Sequence, residues 1–206
     1  MTGFLDHATR RSLQAAVQRI EAESAAEVVV VVRTQSGRYL HADLAGGIAA
    51  GWLSLGFLLW SPWGFSLWSI FVDPLLCGLA GGWLVSRLPS LRRWLTPPSF
   101  RREAVASAAR ALFVERGIAE TRQRSGILVY LSQLERDASV IADRGMLAAV
   151  PSERWESLRQ ELVRALRTQD GASAARALEQ FAAVAHAAMP RLADDQNELG
   201  DAVSGS

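Results

Sequence analysis

The sequence predicts an α/β domain, a small mixed sheet flanked by helices, with a transmembrane helical hairpin inserted into it. Three observations carry this. Between Leu44 and Ser86 the only charged residue is Asp73, while both flanks are charged like a soluble protein. The run Val28–Val32 is unbroken valine, the mark of a strand buried on both faces. After the apolar block, Gly126–Ser132 (GILVYLS) and Asp137–Asp143 (DASVIAD) read as two further strands, with helical periodicity before and after them.

Residues 4–23 form an amphipathic helix, with Leu13, Val17 and Ile20 on one face. They lack an uninterrupted apolar segment, so no cleaved signal peptide is expected. The first strand, Glu27–Arg33, follows. The soluble domain is thus expected in two parts, residues 1–42 and 92–190, with the hairpin between them at 43–91 and an acidic flexible tail at 191–206.

In the hairpin, Leu44–Trp60 is uncharged and, as a helix, reaches about 26 Å, close to the roughly 30 Å of a bilayer core. The first span is set at 43–60. Asp73-Pro74 reads as a helix cap followed by proline at the first helical position, which sets the second span at 74–91. The alternative is 65–86, with Asp73 inside the span. The cap reading keeps a carboxylate at the interface and avoids about 2.5–3.5 kcal/mol for one at mid-bilayer. Trp60, Trp63, Phe65 and Trp68 would form an interfacial belt at the turn. Gly47/Gly51 and Gly78/Gly82 are GxxxG pairs, which arise by chance in glycine-rich spans or allow close helix contact, within the hairpin or in an oligomer. Arginine is absent from 61–73 and abundant outside the hairpin. The positive-inside rule therefore puts both termini and the soluble domain in the cytoplasm.

Beyond the hairpin, Leu95-Thr96-Pro97-Pro98 is a stiff exit linker. A helix at Arg102–Arg116 is stopped by Gly117. Ser152 is expected to cap the next helix, which carries Trp155, Leu158, Leu162 and Leu166, and Ser173 to begin the last, with Leu178, Phe181 and Val184 inward. The first two strands should be parallel, with the hairpin inside their crossover, and the third antiparallel to the second.

Composition removes several chemistries. Net charge is +1, so nucleic acid is not an expected partner. The 22 basic residues are all arginine, which excludes a phosphate-loop lysine, a Schiff-base lysine and a Ser-Lys dyad. The one cysteine, Cys77, lies in the apolar block and reads as a packing residue. His7, His41 and His186 lack metal-ligand spacing.

In open α/β sheets ligands gather at the carboxyl ends of the strands. Thr34, Gln35, Ser132 and Arg136 are the candidate ligand-binding residues there, Arg136 as a phosphate holder. Glu135 and Asp137 are the candidate catalytic acids and metal ligands; calcium or magnesium is the ion such oxygen donors would take. The bland reading of this stretch is a solvated hairpin turn. The opposite edge offers Glu27, Glu120, Arg124, Asp143 and Arg144, where Asp143-Arg144-Gly145 reads as a turn with glycine at a special backbone angle. Arg87, Arg92, Arg93, Arg101 and Arg102 flank the spans and are expected near lipid headgroups.

The segments RIEAESAAEVVVVVR, SRLPSLRRWLTP, ARALFVERGIAETRQRSGILVYLSQLERDASVIADRGM, VPSERW and DDQNEL resemble the TPM-domain family. The likeness is to bacterial predicted membrane proteins in which two membrane helices split the domain. The resemblance implies a TPM-like fold in the bacterial inner membrane. For function it implies two classes, acid phosphatases linked to photosystem repair and accessory subunits of receptors. The reading favoured here is a non-catalytic binding or accessory module acting on membrane proteins in assembly, repair or quality control. The alternatives are a divalent-metal-dependent phosphatase and an anionic-lipid sensor.

Overall fold

The computed structural model describes residues 4, 6–121, 123–191 and 203–205. The chain divides into two compact units, residues 37–101 and the remainder.

The larger unit is built on β1 (Glu27–Arg33), β2 (Gly126–Ser132), β3 (Asp137–Ala142) and β4 (Val203–Gly205), in the sheet order β3-β2-β1-β4. β1 runs parallel to β2, with Val30 opposite Val129, and β3 is antiparallel to β2, as expected. The fourth strand was not expected. Val203–Gly205 lie in the stretch read as a flexible tail, yet they pair parallel with Val30–Val32. The physical reason is the open edge of β1, whose unpaired backbone groups a short extended segment can satisfy. The rest of the expected tail, 192–202 and 206, lies outside the described residues.

Both faces of β1 are covered, which is why it can be continuous valine. Val28, Val30 and Val32 point into the larger core with α1 (His7–Glu23), α6 (Arg144–Ala149), α7 (Ser152–Thr168) and α8 (Gly171–Ala188). Val29 and Val31 point to the other face, where Val105, Ala109 and Leu112 of α5 (Pro98–Glu115) and Ile118 cover them. Leu13, Leu131, Leu162 and Leu166 are fully buried, each worth about 1.5–3 kcal/mol of transfer free energy.

Helix boundaries follow local chemistry, and several differ from expectation: α1 begins at His7 rather than residue 4, and α5 begins at Pro98, inside the expected exit linker, rather than at Arg102. Asp6 caps α1 through Thr9 N at 2.6 Å. The last helix begins at Gly171 rather than Ser173, because Asp170 is the cap and accepts from Ser173 N. Ser152 is already helical: Pro151 occupies the cap position, and no side chain caps α7. Gly117 does end α5, with φ of 62°. Gly145 is different from the reading above. It sits inside α6 without a positive φ, and a Cβ there would meet the carbonyls of Gln123 and Arg124 at 2.7 Å, so lack of space requires glycine.

The second unit holds α2 (Leu40–Trp60), α3 (Leu67–Arg87), α4 (Pro89–Leu95) and the start of α5. α2 and α3 are long and apolar enough to cross a membrane. α3 does not start at the Asp73-Pro74 pair, as the cap reading had it, but at Leu67. Ser66 is its cap, accepting from Ser69 N, so Asp73 lies about two turns inside the helix and Pro74 in its interior. The Asp-Pro pair suits a helix start, but the uncharged stretch before it already has a serine cap and no competing polar group. The exit is also more regular than expected, with the short helix α4 before Thr96. Thr96 Oγ1 donates to the Arg92 carbonyl at 2.8 Å.

The glycines bring α2 and α3 into backbone contact. A Cβ on Gly47 would lie 2.8 Å from Gly78 O, and one on Gly51 would lie 3.0 Å from Pro74 O. Gly81 and Gly46 are equally closed, by Ala50 and Val85. Large apolar side chains point away from this seam: Trp52, Leu53, Trp60 and Phe71 are each at least 70% exposed.

Candidate functional site

At the carboxyl end of β1 and β2, two loops are stitched together. Gln133 N donates to Arg33 O at 3.0 Å and Leu134 N to Thr34 O at 2.9 Å. The turn into β3 requires Arg136 at φ 50°, a left-handed conformation more natural to glycine. This geometry sends Glu135 inward and Asp137 to a different neighbour.

Glu135 is buried, at 3% exposure. One carboxylate oxygen accepts from Ser36 N at 2.8 Å, and the other accepts from Ser132 Oγ. Ser36 Oγ donates to Ser132 Oγ at 2.8 Å and lies 3.1 Å from Tyr130 Oη. Each hydroxyl carries one proton. Ser36 uses its proton on Ser132, so Tyr130 is the donor to Ser36, and the chain runs from Tyr130 to Ser36 to Ser132 to Glu135. Burial pushes the Tyr130 phenol above its ordinary pKa and the Glu135 charge adds to this, while the Ser36 hydrogen bond and Arg33 oppose it. The phenol therefore keeps the proton that the chain requires.

Asp137 accepts from Ala138 N at 2.9 Å and pairs with Arg159 at 3.4 Å. Arg159 is also held by both oxygens of Glu156, at 3.0 and 2.9 Å. That pairing, with help from Gln160, pulls the Glu156 carboxyl down to about 2. Asp137 and Arg159 line a cleft of about 540 Å³ together with Arg102 from α5 and Gln160, Arg164 and Arg167 from α7. The cleft opens at the β3 edge of the sheet, where helices from its two faces come together.

The structure thus brings together Ser132, Glu135 and the Thr34 backbone. It places Arg136 against the Arg167 carbonyl, at 3.4 Å, and leaves the Thr34 and Gln35 side chains exposed. Among the described residues no three acids, histidines or cysteines are grouped to hold a metal ion. At the opposite edge, Arg124 lies 3.8 Å from Asp143, which caps α6 by accepting from Arg144 N at 2.7 Å.

Of the arginines flanking the spans, Arg92 is bound to Asp43 by two hydrogen bonds at 2.9 and 2.6 Å, and Arg87 stacks over Trp83 at 5.3 Å. Arg101 keeps a buried Nε without a hydrogen-bond partner. Sequence reasoning missed the Asp43–Arg92 pair, Tyr130 and the arginine cleft. The spacing of Gln160, Arg164 and Arg167 at i, i+4 and i+7 was the one available signal for the cleft.

Comparison with known proteins agrees with this architecture. The family model for the TPM domain matches residues 93–184. Among curated proteins none matches the chain. The solved structure of the BA42 protein, from the psychrophilic bacterium Bizionia argentinensis, is similar over 98% of this chain and 96% of its own, with a TM-score of 0.60 and 13% identity. At that identity the likeness concerns the fold. Residues 93–184 therefore match the TPM domain, and the family likeness applies to that part of the chain.

Proposed function

We propose that this protein is anchored in the bacterial inner membrane by its α2–α3 hairpin, and that its TPM domain is a cytoplasmic binding or accessory module for membrane proteins. The observation that carries the non-catalytic reading is the commitment of the two candidate acids. Both Glu135 oxygens are used by Ser36 and Ser132 inside the protein, and Asp137 is tied to Ala138 and Arg159. A general base or metal ligand needs a lone pair facing substrate or ion.

The membrane address is supported by how α2 and α3 are built. Their most apolar windows are only 11% and 6% buried, so these helices are not the core of a soluble domain. Exposed tryptophan and leucine around a glycine seam suit a lipid solvent. The cytoplasmic orientation rests on the arginine asymmetry.

The test is direct. Purified full-length protein in neutral detergent is offered p-nitrophenyl phosphate with calcium or magnesium, and no turnover above buffer is expected. Metal-dependent turnover that disappears in Asp137→Asn would overturn the non-catalytic reading in favour of a phosphatase. Carbonate extraction should leave the chain in the membrane pellet, and a carboxyl-terminal alkaline phosphatase fusion should be inactive. Release into the supernatant or an active fusion would defeat the anchoring or the orientation respectively.

A further inference from the structure

We propose that the arginine cleft at the β3 edge is a binding site for a phosphate-bearing anion. Four guanidiniums, from Arg102, Arg159, Arg164 and Arg167, face one carboxylate, Asp137, across the cleft. Asp137 is neutralised by Arg159, and Arg159 is fixed from behind by Glu156. Arg102, Arg164 and Arg167 pair with no carboxylate among the described residues.

Three unneutralised guanidiniums in one concavity repel one another unless an anion joins them. Their planar forks suit phosphate oxygens. Gln160, on the same stripe of α7 as Arg164 and Arg167, lines the cleft beside them, its amide donating to Glu156 Oε1 at 2.9 Å. The floor is apolar: Val105, Ala138 and Val163 are all buried and line the cleft beneath the charges. A dry floor strengthens the charge-assisted hydrogen bonds above it and offers a surface for an apolar part of the ligand. A volume of about 540 Å³ fits a small molecule rather than a single ion. The ligand class is therefore a small molecule or headgroup carrying two or more phosphate charges. This inference does not rest on the function proposed above, because the cleft uses neither Glu135 nor its serine partners.

The experiment uses full-length protein in neutral detergent, titrated calorimetrically with sodium pyrophosphate. A second arm measures binding to nanodiscs of phosphatidylcholine with and without phosphatidic acid. Saturable pyrophosphate binding identifies a soluble ligand; binding only to the phosphatidic acid discs identifies a lipid headgroup. In either arm, Arg164→Gln/Arg167→Gln should weaken binding by about tenfold or more, since each loses a charge-assisted contact. Arg102→Gln, on a different helix, should act in the same direction. Arg144→Gln/Arg154→Gln, which removes the same charge outside the cleft, should leave the affinity unchanged. Absence of binding in both arms overturns the proposal. So does an affinity that falls equally in the cleft and control variants, or in neither.

Discussion

The two units of this chain solve the same packing problem with opposite residues. In the sheet unit, contact is made by large side chains: β1 buries valine on both faces, and Leu131 and Leu162 fill the space between sheet and helices. In the hairpin unit, contact is made by the absence of side chains. Gly47, Gly51, Gly78 and Gly82 bring two backbones together, and the large residues face outward. Water drives the first arrangement, because apolar area is withdrawn from it. The second relies on close van der Waals contact between backbones, the packing that would hold a helix pair together in lipid. The same substitution chemistry should therefore have opposite signs in the two units: truncation harms one and enlargement harms the other.

The largest effect is expected from truncation in the sheet unit. Leu131→Ala should cost about 2–5 kcal/mol, read as faster hydrogen exchange in β1 and β2 with the α2–α3 seam unchanged. Next, Glu135→Ala should cost about 1–3 kcal/mol, because Ser36 N and Ser132 Oγ lose their buried acceptor. Asp137→Ala should cost less in the same exchange measurement, since its main partner Arg159 keeps Glu156. Enlargement is the matching test in the hairpin. Gly47→Val, forced against Gly78 O, should cost about 1–3 kcal/mol, read as easier opening in a dodecyl sulfate titration followed by Trp52 and Trp83 fluorescence. An equal loss of sheet-unit stability would break the comparison. Asp43→Asn should weaken the hairpin by about 1 kcal/mol or less, the range of a partly exposed ion pair.

The smallest effect is on acid stability. Glu156 has a folded pKa lowered from 4.5 to about 2, so its contribution is present above 4.5 and is lost as pH falls toward 2. Asp6, lowered by the hydrogen bond from Thr9 N, and Asp170, lowered first by the Ser173 hydroxyl and then by Ser173 N, act in the same direction. Glu156→Gln should flatten the acid limb of the sheet unit's stability slightly. The change is small because the Glu156–Arg159 pair is substantially exposed to solvent. A steeper acid limb in the variant would contradict this assignment.

What the sequence made legible was whatever is encoded locally. The valine run announced β1, and the charge-free block announced two apolar helices, because each signal lies within one element. Pro74 was misread because Asp-Pro looks the same at a helix start and inside a helix. The deciding residue, Ser66, lies a full two turns earlier. β4 was missed because three residues have no periodicity to read. The arginine cleft, the Ser36–Glu135 link and the Asp43–Arg92 pair join residues far apart in the chain, and no local pattern announces such a meeting. The candidate acids lie beside the sheet end, but their neighbours could not be read: a buried acceptor and a solvated base look alike as letters.

The link between Ser36 and Glu135 spans 99 residues, and the whole hairpin lies between its two ends. When β1 leaves the ribosome, its pairing partner β2 has not yet been made. An unpaired valine strand is then held open while α2 and α3 are synthesised, a high contact order that slows closure. A chain stopped within the hairpin would carry a strand ready to associate with any exposed edge. The sheet can therefore be completed only after both apolar helices have been made.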